Sequence, residues 1–308
     1  MYRIGIDLGG TNIAVGVVDE HHRIVAEASL PAGAHRPAEQ VAADMCRAVE
    51  LALDKAGLTP ADCASIGVGT PGTCDPEQGV VVRAYNLNWF DVPVCAMLTA
   101  HFGIPVRLSN DANCAALAET VAGAAVGCRN MVLITLGTGV GGGIIVDGKL
   151  VSGMGGAGGE PGHSLLVLDG EPCTCGRRGC WEVYASATAL IRQGREAAAA
   201  HPASLLNQYP ELTGRDVFDA ADAGDAAAQA VLERYYVYVA AGITDLVNIL
   251  SPEMVLIGGG ISRQGERLLR PIRRYVAANC FGGENRPQPI IQAAQLGNEA
   301  GIIGAAAL

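Results

Sequence analysis

Residues 163–182 bring one histidine and three cysteines into a short loop that is interrupted by glycines. The four side chains are His163, Cys173, Cys175 and Cys180, in the order His-x9-Cys-x-Cys-x4-Cys. One histidine with three thiolates is a donor set of closed structural zinc sites, which leave no coordination position open for a reacting water. The Cys-x-Cys gap is tighter than the usual spacing of zinc cysteines, so four unrelated residues remain the alternative. Because the loop has little apolar content, the sequence favours structural Zn²⁺.

Three glycine-rich turns, each directly after a strand-like run, could perform a second kind of chemistry. Glycine permits positive φ and has no Cβ, so consecutive backbone N–H groups can converge on an anion. The first two turns suit phosphate oxygens, with threonine hydroxyls as further donors, and the third can admit a flat ring close to its backbone. One such turn is equally well explained as a tight hairpin, but three together favour nucleotide binding. The candidate residues are Gly9, Gly10, Thr11, Asn12, Gly137, Thr138, Gly139, Gly258, Gly259 and Gly260.

Two aspartates lie at the ends of predicted strands. Asp7 stands beside the first glycine turn, where a carboxylate repels phosphate unless Mg²⁺ intervenes, so we expect it on the magnesium side of a nucleotide site. An ordinary turn aspartate is the alternative. Asp111 lies between a strand and a helix, and an aspartate directly before a helix is also a favoured N-cap.

The elements that must position these residues follow from the hydrophobic periodicity. Strand, glycine turn and strand open the chain, and the same device recurs in the second half, where Thr135 to Val146 resembles Asp7 to Val17. Helices are predicted from Pro37 to Gly57 and from about Asp225 to Leu250. Strands that alternate with helices predict an α/β fold with a mixed sheet in each of two similar domains.

Composition narrows the classes of partner. The chain of 308 residues carries 31 acidic and 21 basic residues, a formal net charge of -10, and shows no basic stripe. We therefore expect neither nucleic acid nor an anionic membrane as a partner. The amino terminus lacks the pattern of a secretory signal, and no apolar run reaches the roughly 18 residues of a membrane span. These features predict a cytoplasmic protein.

Several motifs together resemble a known family. They are IGIDLGGTNIAVGVVD, SNDAN, LGTGVGGGIIVDGKL, GGAGGEPGH and CTCGRRGCWE, and the match runs in order from Gly5 to about Gly304. The chain resembles the repressor/open-reading-frame/kinase (ROK) family of sugar kinases, and within it the bacterial glucokinases. The resemblance implies the actin-like ATPase (ribonuclease H-like) fold. It also implies a small lobe of residues 1–115 completed by a C-terminal helix at 296–308, and a large lobe of 116–295 with the zinc loop and adenosine site.

The resemblance also implies an activity and the residues that carry it. The activity is transfer of the γ-phosphate of ATP, with Mg²⁺, to the 6-hydroxyl of glucose. Asp111 would be the catalytic base, and His163 would contact both the zinc ion and the sugar. The implied sugar-binding residues are Asn86, Asn110, Asp111, Glu160, His163 and Glu182. Family regulators carry a helix-turn-helix segment before the first strand, which here begins at residue 3, so we expect the enzyme branch.

Several alternatives stay open at this point. Pro161 stands where many relatives have a bulky apolar residue, and its fixed φ bears on how Glu160 meets the sugar. Mannose, fructose, allose or N-acetylmannosamine could replace glucose, because an epimeric hydroxyl changes only a few hydrogen bonds. A catalytically silent sugar sensor and a kinase that uses polyphosphate are further alternatives. Family members are commonly dimers, so we expect a homodimer.

Overall fold

A computed structural model describes residues 1–33 and 36–308 of the chain. Within these ranges the strands are β1 (Tyr2–Leu8), β2 (Asn12–Val18), β3 (Ile24–Pro31), β4 (Cys63–Thr70), β5 (Thr73–Asp75), β6 (Val80–Ala84), β7 (Trp89–Val92), β8 (Val106–Asn110), β9 (Met131–Leu136), β10 (Val140–Val146), β11 (Lys149–Leu150), β12 (Met254–Gly258) and β13 (Ile290–Ala293). The α-helices are α1 (Ala38–Ala56), α2 (Val94–Phe102), α3 (Asp111–Val121), α4 (Glu182–Ala185), α5 (Ala187–Ala200), α6 (Gly214–Asp222), α7 (Ala226–Leu250), α8 (Glu266–Asn279) and α9 (Ala300–Ala306).

The strands form two five-stranded sheets and a small third one. The first has the order β3-β2-β1-β4-β8, with an antiparallel meander of β1, β2 and β3 and parallel pairs of β4 with β1 and β8. The second has the order β11-β10-β9-β12-β13, in which β12 is parallel to β9 and β13 and β10 is antiparallel to β11. Both sheets are mixed, which confirms the α/β fold class.

The strands predicted on both sides of the first two glycine turns, and before the third, are confirmed. The first turn joins β1 to β2, the second joins β9 to β10, and the third ends β12. The helices predicted at Pro37 to Gly57 and Asp225 to Leu250 are present as α1 and α7. In the part of the chain that the structure describes, none of the helices combines the length and the apolar character needed to span a bilayer.

The chain divides into two compact units. Unit 1 comprises Met1–Arg129, Gly143–Gly159 and Gln295–Leu308, and unit 2 comprises Asn130–Gly142 and Glu160–Ala294. The lobe boundaries expected from the sequence, at residues 115 and 295, stay a prediction.

The core of unit 1 forms because β1 and β2 carry apolar residues on both faces of the sheet. Ile4, Ile6 and Val15 are completely buried together with residues of α1 such as Met45 and Val49. The opposite face is covered by α9, where Ile302 packs against Val18. Burial on both sides explains why β2 carries only apolar residues and glycine from Ile13 to Val18.

In unit 2, β12 lies between β9 and β13, and all five of its residues are buried. Trp181 anchors the loop of residues 163–182 to α7: its indole N–H donates to the Tyr238 carbonyl at 2.8 Å, and its ring packs on Gly242, where a Cβ would overlap it. The completely buried indole therefore holds Cys180 and Glu182 in place from the position between them.

Candidate active site and metal cluster

The first glycine turn follows β1 directly, and Asp7 is the last residue but one of that strand. The Gly9 N–H donates to the Asn12 carbonyl at 2.9 Å, which closes the turn. Asn86 lies beside it, because a Cβ built on Gly10 would be 3.9 Å from the Asn86 Cβ. The structure thus brings Asn86, predicted to bind sugar, next to the turn that is predicted to bind phosphate.

Asp111 and Asn110 lie where β8 passes into α3. The Asn110 side-chain oxygen accepts from the Ala112 N–H at 2.9 Å, and its amide group donates to the Gly72 carbonyl at 3.0 Å. Asn110 is therefore the N-cap residue of α3, the position that the alternative interpretation gave to Asp111. Asp111 is the first residue of the helix, with Oδ1 accepting from Ala112 at 2.8 Å. The Asn110 amide still has a second proton and a second lone pair to offer a ligand.

Asp7 and Asp111, both in unit 1, interact electrostatically. Burial, and secondarily the negative charge of Asp111, raise the pKa of Asp7 to about 6. Burial likewise raises the pKa of Asp111, partly offset by backbone N–H groups at the start of α3. Asp111 as a whole is exposed, but protein atoms close to its carboxyl group remove part of the hydration of that group. A carboxylate whose pKa moves toward neutrality is a better proton acceptor at physiological pH.

The second and third glycine turns meet at one edge of the second sheet. Thr135 of β9 pairs with Gly258 of β12, so the carboxyl ends of these parallel strands lie side by side. Gly259 has φ +82, and a Cβ there would overlap the backbone of Leu136. Only glycine allows this approach, which places the turn of Gly258–Gly260 directly beside the turn of Gly137–Gly139.

Glu182 lies against the second turn. Its Oε2 accepts from the Val140 N–H at 3.1 Å, and a Cβ on Gly139 would overlap its carboxylate. Its Oε1 lies 3.7 Å from Cys173 Sγ. A single side chain, predicted to bind sugar, thus connects the metal cluster to a turn that is predicted to bind phosphate.

The donor atoms of His163, Cys173, Cys175 and Cys180 all lie within 4.8 Å of one another. His163 Nδ1 is 3.7 Å from Cys173 Sγ, and the Sγ atoms of Cys175 and Cys180 are 3.6 Å apart. Zinc–sulfur bonds of about 2.3 Å at tetrahedral angles separate two sulfurs by about 3.8 Å. The donor set and its spacing therefore fit a tetrahedral zinc ion.

The thiols of the cluster differ in environment. The backbone N–H of Arg177 is the main cause that lowers the pKa of Cys175 to about 7, whereas burial raises the pKa of Cys173 to about 12. Arg177 also donates a hydrogen bond to the His163 carbonyl. The exposed cysteine is thus the more readily ionised ligand, and metal binding would have to displace the proton of the buried one.

Glu160 directly precedes a single 3-10 turn of Pro161–His163, and His163 is its last residue. The proline occupies its first position, where a fixed φ near −65° is compatible and the missing N–H costs no bond. His163 presents Nδ1 to Cys173, which leaves Nε2 as the ring nitrogen for a second partner. The backbone thus accommodates Pro161, while its effect on sugar binding stays a prediction.

The predicted site residues form one set in each unit. Unit 1 holds Asp7, the first glycine turn, Asn86, Asn110 and Asp111, and unit 2 holds the other two turns, Glu160, Glu182 and the metal cluster. Glu119, a helical glutamate that is only 1 % exposed, belongs to none of the sequence motifs. A charged residue among the alanines of α3 was the available signal, but no local pattern identifies what it binds.

The chain is similar to known proteins along almost its whole length. A model described as the ROK family matches residues 3–308. The glucokinase of Halalkalibacterium halodurans is 38% identical over 98% of this chain and 92% of its own length, and that of Streptomyces coelicolor is 38% identical over 99% and 96%. A crystal structure of a ROK family glucokinase from Streptomyces griseus in complex with glucose and AMPPNP matches with a TM-score of 0.83, 38% identity and coverage of 100% and 98%.

Proposed function

The chain belongs to the ROK family, and we propose that it is an ATP-dependent glucokinase that phosphorylates the 6-hydroxyl of glucose. The observation that carries the proposal is the pair of Asp111 and Asp7, two coupled carboxylates with raised pKa values, one at the start of α3 and one beside a glycine turn. The full-length similarity to glucokinases supports glucose as the hexose and ATP as the donor.

The fold agrees with this activity. Two mixed sheets and the match to a ROK glucokinase structure over the whole chain confirm the predicted actin-like ATPase fold. The protein is a sugar kinase, as the sequence analysis expected.

In this proposal Asp111 accepts the proton of the glucose 6-hydroxyl. As that oxygen forms its bond to the γ-phosphorus, the bond from phosphorus to the β–γ bridging oxygen breaks and ADP leaves. Desolvation of Asp111 makes its carboxylate more basic, and the cap formed by Asn110 fixes its position at the helix start. The groups that orient the sugar are Asn86, Asn110, Glu160, His163 and Glu182.

The glycine turns are proposed to bind the nucleotide. Gly9 to Asn12 and Gly137 to Gly139 offer backbone N–H groups and threonine hydroxyls to phosphate oxygens, and Gly258 to Gly260 lie beside the adenosine. Magnesium, when bound, neutralises part of the phosphate charge. In this scheme Asp7 would face the ion, since burial, and secondarily the charge of Asp111, otherwise disfavour its ionised form.

We further propose that His163, Cys173, Cys175 and Cys180 hold a structural zinc ion. The four side chains would fill the coordination sphere of the ion, so no position would remain for a reacting water. Glu182, in contact with Cys173, is then held in place as a sugar-binding group. Removal of the ion is expected to loosen this loop and weaken sugar binding.

Release of ADP from Mg-ATP, measured across a panel of hexoses, tests the proposal. Wild type is compared with Asp111→Asn and with Asp54→Asn, which alters an exposed aspartate of α1 as a matched control. We expect turnover with glucose in wild type and in the control, and a loss of about 100-fold or more in kcat for Asp111→Asn. Binding of glucose without turnover in wild type would favour the sugar sensor instead. Turnover with polyphosphate but not ATP would change the donor.

A homodimer and a cytoplasmic location belong to the same proposal. Light scattering coupled to size exclusion tests the first, and fractionation of expressing cells tests the second. A monomer at assay concentrations would contradict the homodimer without affecting the proposed reaction.

A further inference from the structure

The C-terminal helix α9 lies against β1, which carries Asp7, and against α3, which begins with Asp111. A Cβ on Gly301 would overlap the carboxyl group of Asp7, and a Cβ on Gly304 would overlap the backbone of Cys114 in α3. On the strand side, Gly5 of β1 is in contact with the carbonyl of Ile302. Because no side chains separate these backbones, a shift of α9 must move Asp7, α3 or both.

Glu119 links the residues that precede α9 to the residues that follow α3. Its Oε1 accepts from the N–H groups of Gln295 and Leu296 at 2.8 and 2.9 Å, and its Oε2 accepts from the Ala124 N–H at 2.8 Å. The carboxylate is 1 % exposed, so these bonds are made away from bulk water. Hydrogen bonds to a buried charged acceptor are the stronger kind.

The two ends of α3 therefore have different roles. Asp111 begins the helix and Glu119 stands eight residues later, about 12 Å along the axis of a stiff rod. Leu296 also packs with Ala118 and Ile303. The residue that donates to Glu119 is therefore part of the apolar contact between α3 and α9 as well. The register of β1, β4 and β8 brings Asp7 and Asp111 to the same end of the sheet, and α9 contacts both the Asp7 carboxyl group and the backbone of α3.

We propose that Glu119 is a positioning residue for phosphoryl transfer: by binding the N–H groups of Gln295 and Leu296 it fixes α9 against α3, and so sets Asp111 relative to Asp7. The inference rests on the proposed kinase function. Glu119 contacts neither of the substrates in this scheme, so its influence is on the rate of the chemical step and not on affinity.

Glutamate is required here because both of its oxygens accept. A glutamine has the same shape, but its NH₂ group would face an N–H donor, either that of Ala124 or those of Gln295 and Leu296. Glu119→Gln is therefore expected to lose the hydrogen bonds either to Ala124 or to Gln295 and Leu296. Glu119→Asp keeps the charge but is one methylene too short to reach both sides.

The test measures kcat, the KM values for glucose and ATP, and the melting temperature of Glu119→Gln and Glu119→Asp. Asp225→Asn is the matched control, because Asp225 in unit 2 is also a buried carboxylate that accepts backbone N–H groups, from Leu205 at 2.6 Å and Ala228 at 2.8 Å. We expect kcat of Glu119→Gln to fall about 10- to 100-fold with both KM values little changed, since small misplacements of reacting groups have effects of this size. Glu119→Asp should be intermediate.

Hydrogen exchange supplies a readout that does not depend on activity. In Glu119→Gln, exchange should rise in the segments that carry Asp7 and Asp111, as well as at the start of α9, and Asp225→Asn should leave those segments unchanged. The inference is overturned if faster exchange is confined to residues 295–306 and kcat falls no more than in a control of equal melting temperature. If wild type phosphorylates no hexose, the proposed function fails, and the exchange pattern alone decides the role of Glu119.

Discussion

Gly301 of α9 lies directly against the carboxyl group of Asp7, with no space for a methyl group between them. This contact joins the C-terminal segment of the chain to the first strand, at the side chain proposed to face magnesium. If Asp7 acts as proposed, we expect the size of residue 301 to influence activity.

Gly301→Ala is expected to displace Asp7 or α9 and to lower both stability and kcat. Overpacking of this kind costs about 1–3 kcal/mol, measurable by denaturant unfolding. Gly194→Ala in α5 is the control, because its Cβ would meet only the ends of the Leu212 and Val217 side chains. Equal losses of kcat in the two variants would show that the contact with Asp7 has no special effect.

Asp7→Asn is expected to stabilise the fold at pH 8 while lowering activity. Burial and the charge of Asp111 raise the pKa of Asp7 to about 6, whereas an aspartate in an unfolded chain titrates near about 4. The folded state therefore favours the neutral form, and the destabilisation is absent below about pH 4, grows with rising pH and is complete above the folded pKa. We expect a gain on the order of 1–2 kcal/mol at pH 8, allowing for solvent screening, that vanishes at low pH.

Unfolding in denaturant at several pH values measures this gain. Asp54→Asn serves as the control because its side chain is exposed. A variant Asp7→Asn that is less stable than wild type at pH 8 would contradict the expected sign.

Loss of one metal ligand is expected to abolish the zinc site. Cys173→Ser should purify without zinc, melt at a lower temperature and show a larger rise in KM for glucose than for ATP, because Glu182 lies against Cys173. Cys46→Ser, at a buried cysteine remote from the cluster, should retain one zinc per chain. Metal analysis decides the matter, and full zinc content in Cys173→Ser would refute the assignment.

Glu182→Gln is expected to weaken glucose binding by about 10- to 100-fold, the effect of losing a hydrogen bond that a sugar hydroxyl donates to a charged acceptor. A smaller rise in KM for ATP should accompany it, since the carboxylate also accepts from the Val140 N–H beside the glycine turn. Glu196→Gln removes only an exposed ion pair with Arg192 and should change neither constant. An unchanged KM for glucose in Glu182→Gln would remove this residue from the proposed sugar site.

Local patterns were enough to predict the glycine turns, the strands before them and the four cluster residues. Gly259 has a positive φ and lies so close to the Leu136 backbone that only glycine fits there. The donors His163 to Cys180 lie within one loop. The N-cap of α3 was ambiguous by one residue, because asparagine and aspartate cap helices almost equally well. Asn110 has the role, which leaves Asp111 with its carboxylate in the first turn of the helix.

The sequence alone therefore determined the elements that hold the candidate residues and indicated which residue types could carry chemistry, because hydrophobic period, turn residues and ligand spacing act over a few positions. Only the tertiary structure decided how α3 and the segment before α9 contact each other. The hydrogen bonds from Gln295 and Leu296 to Glu119 join residues 176 and 177 positions apart, and no periodicity extends over such a separation. They form because burial leaves a carboxylate and backbone N–H groups no water to bind, so each must find its partner in the folded chain.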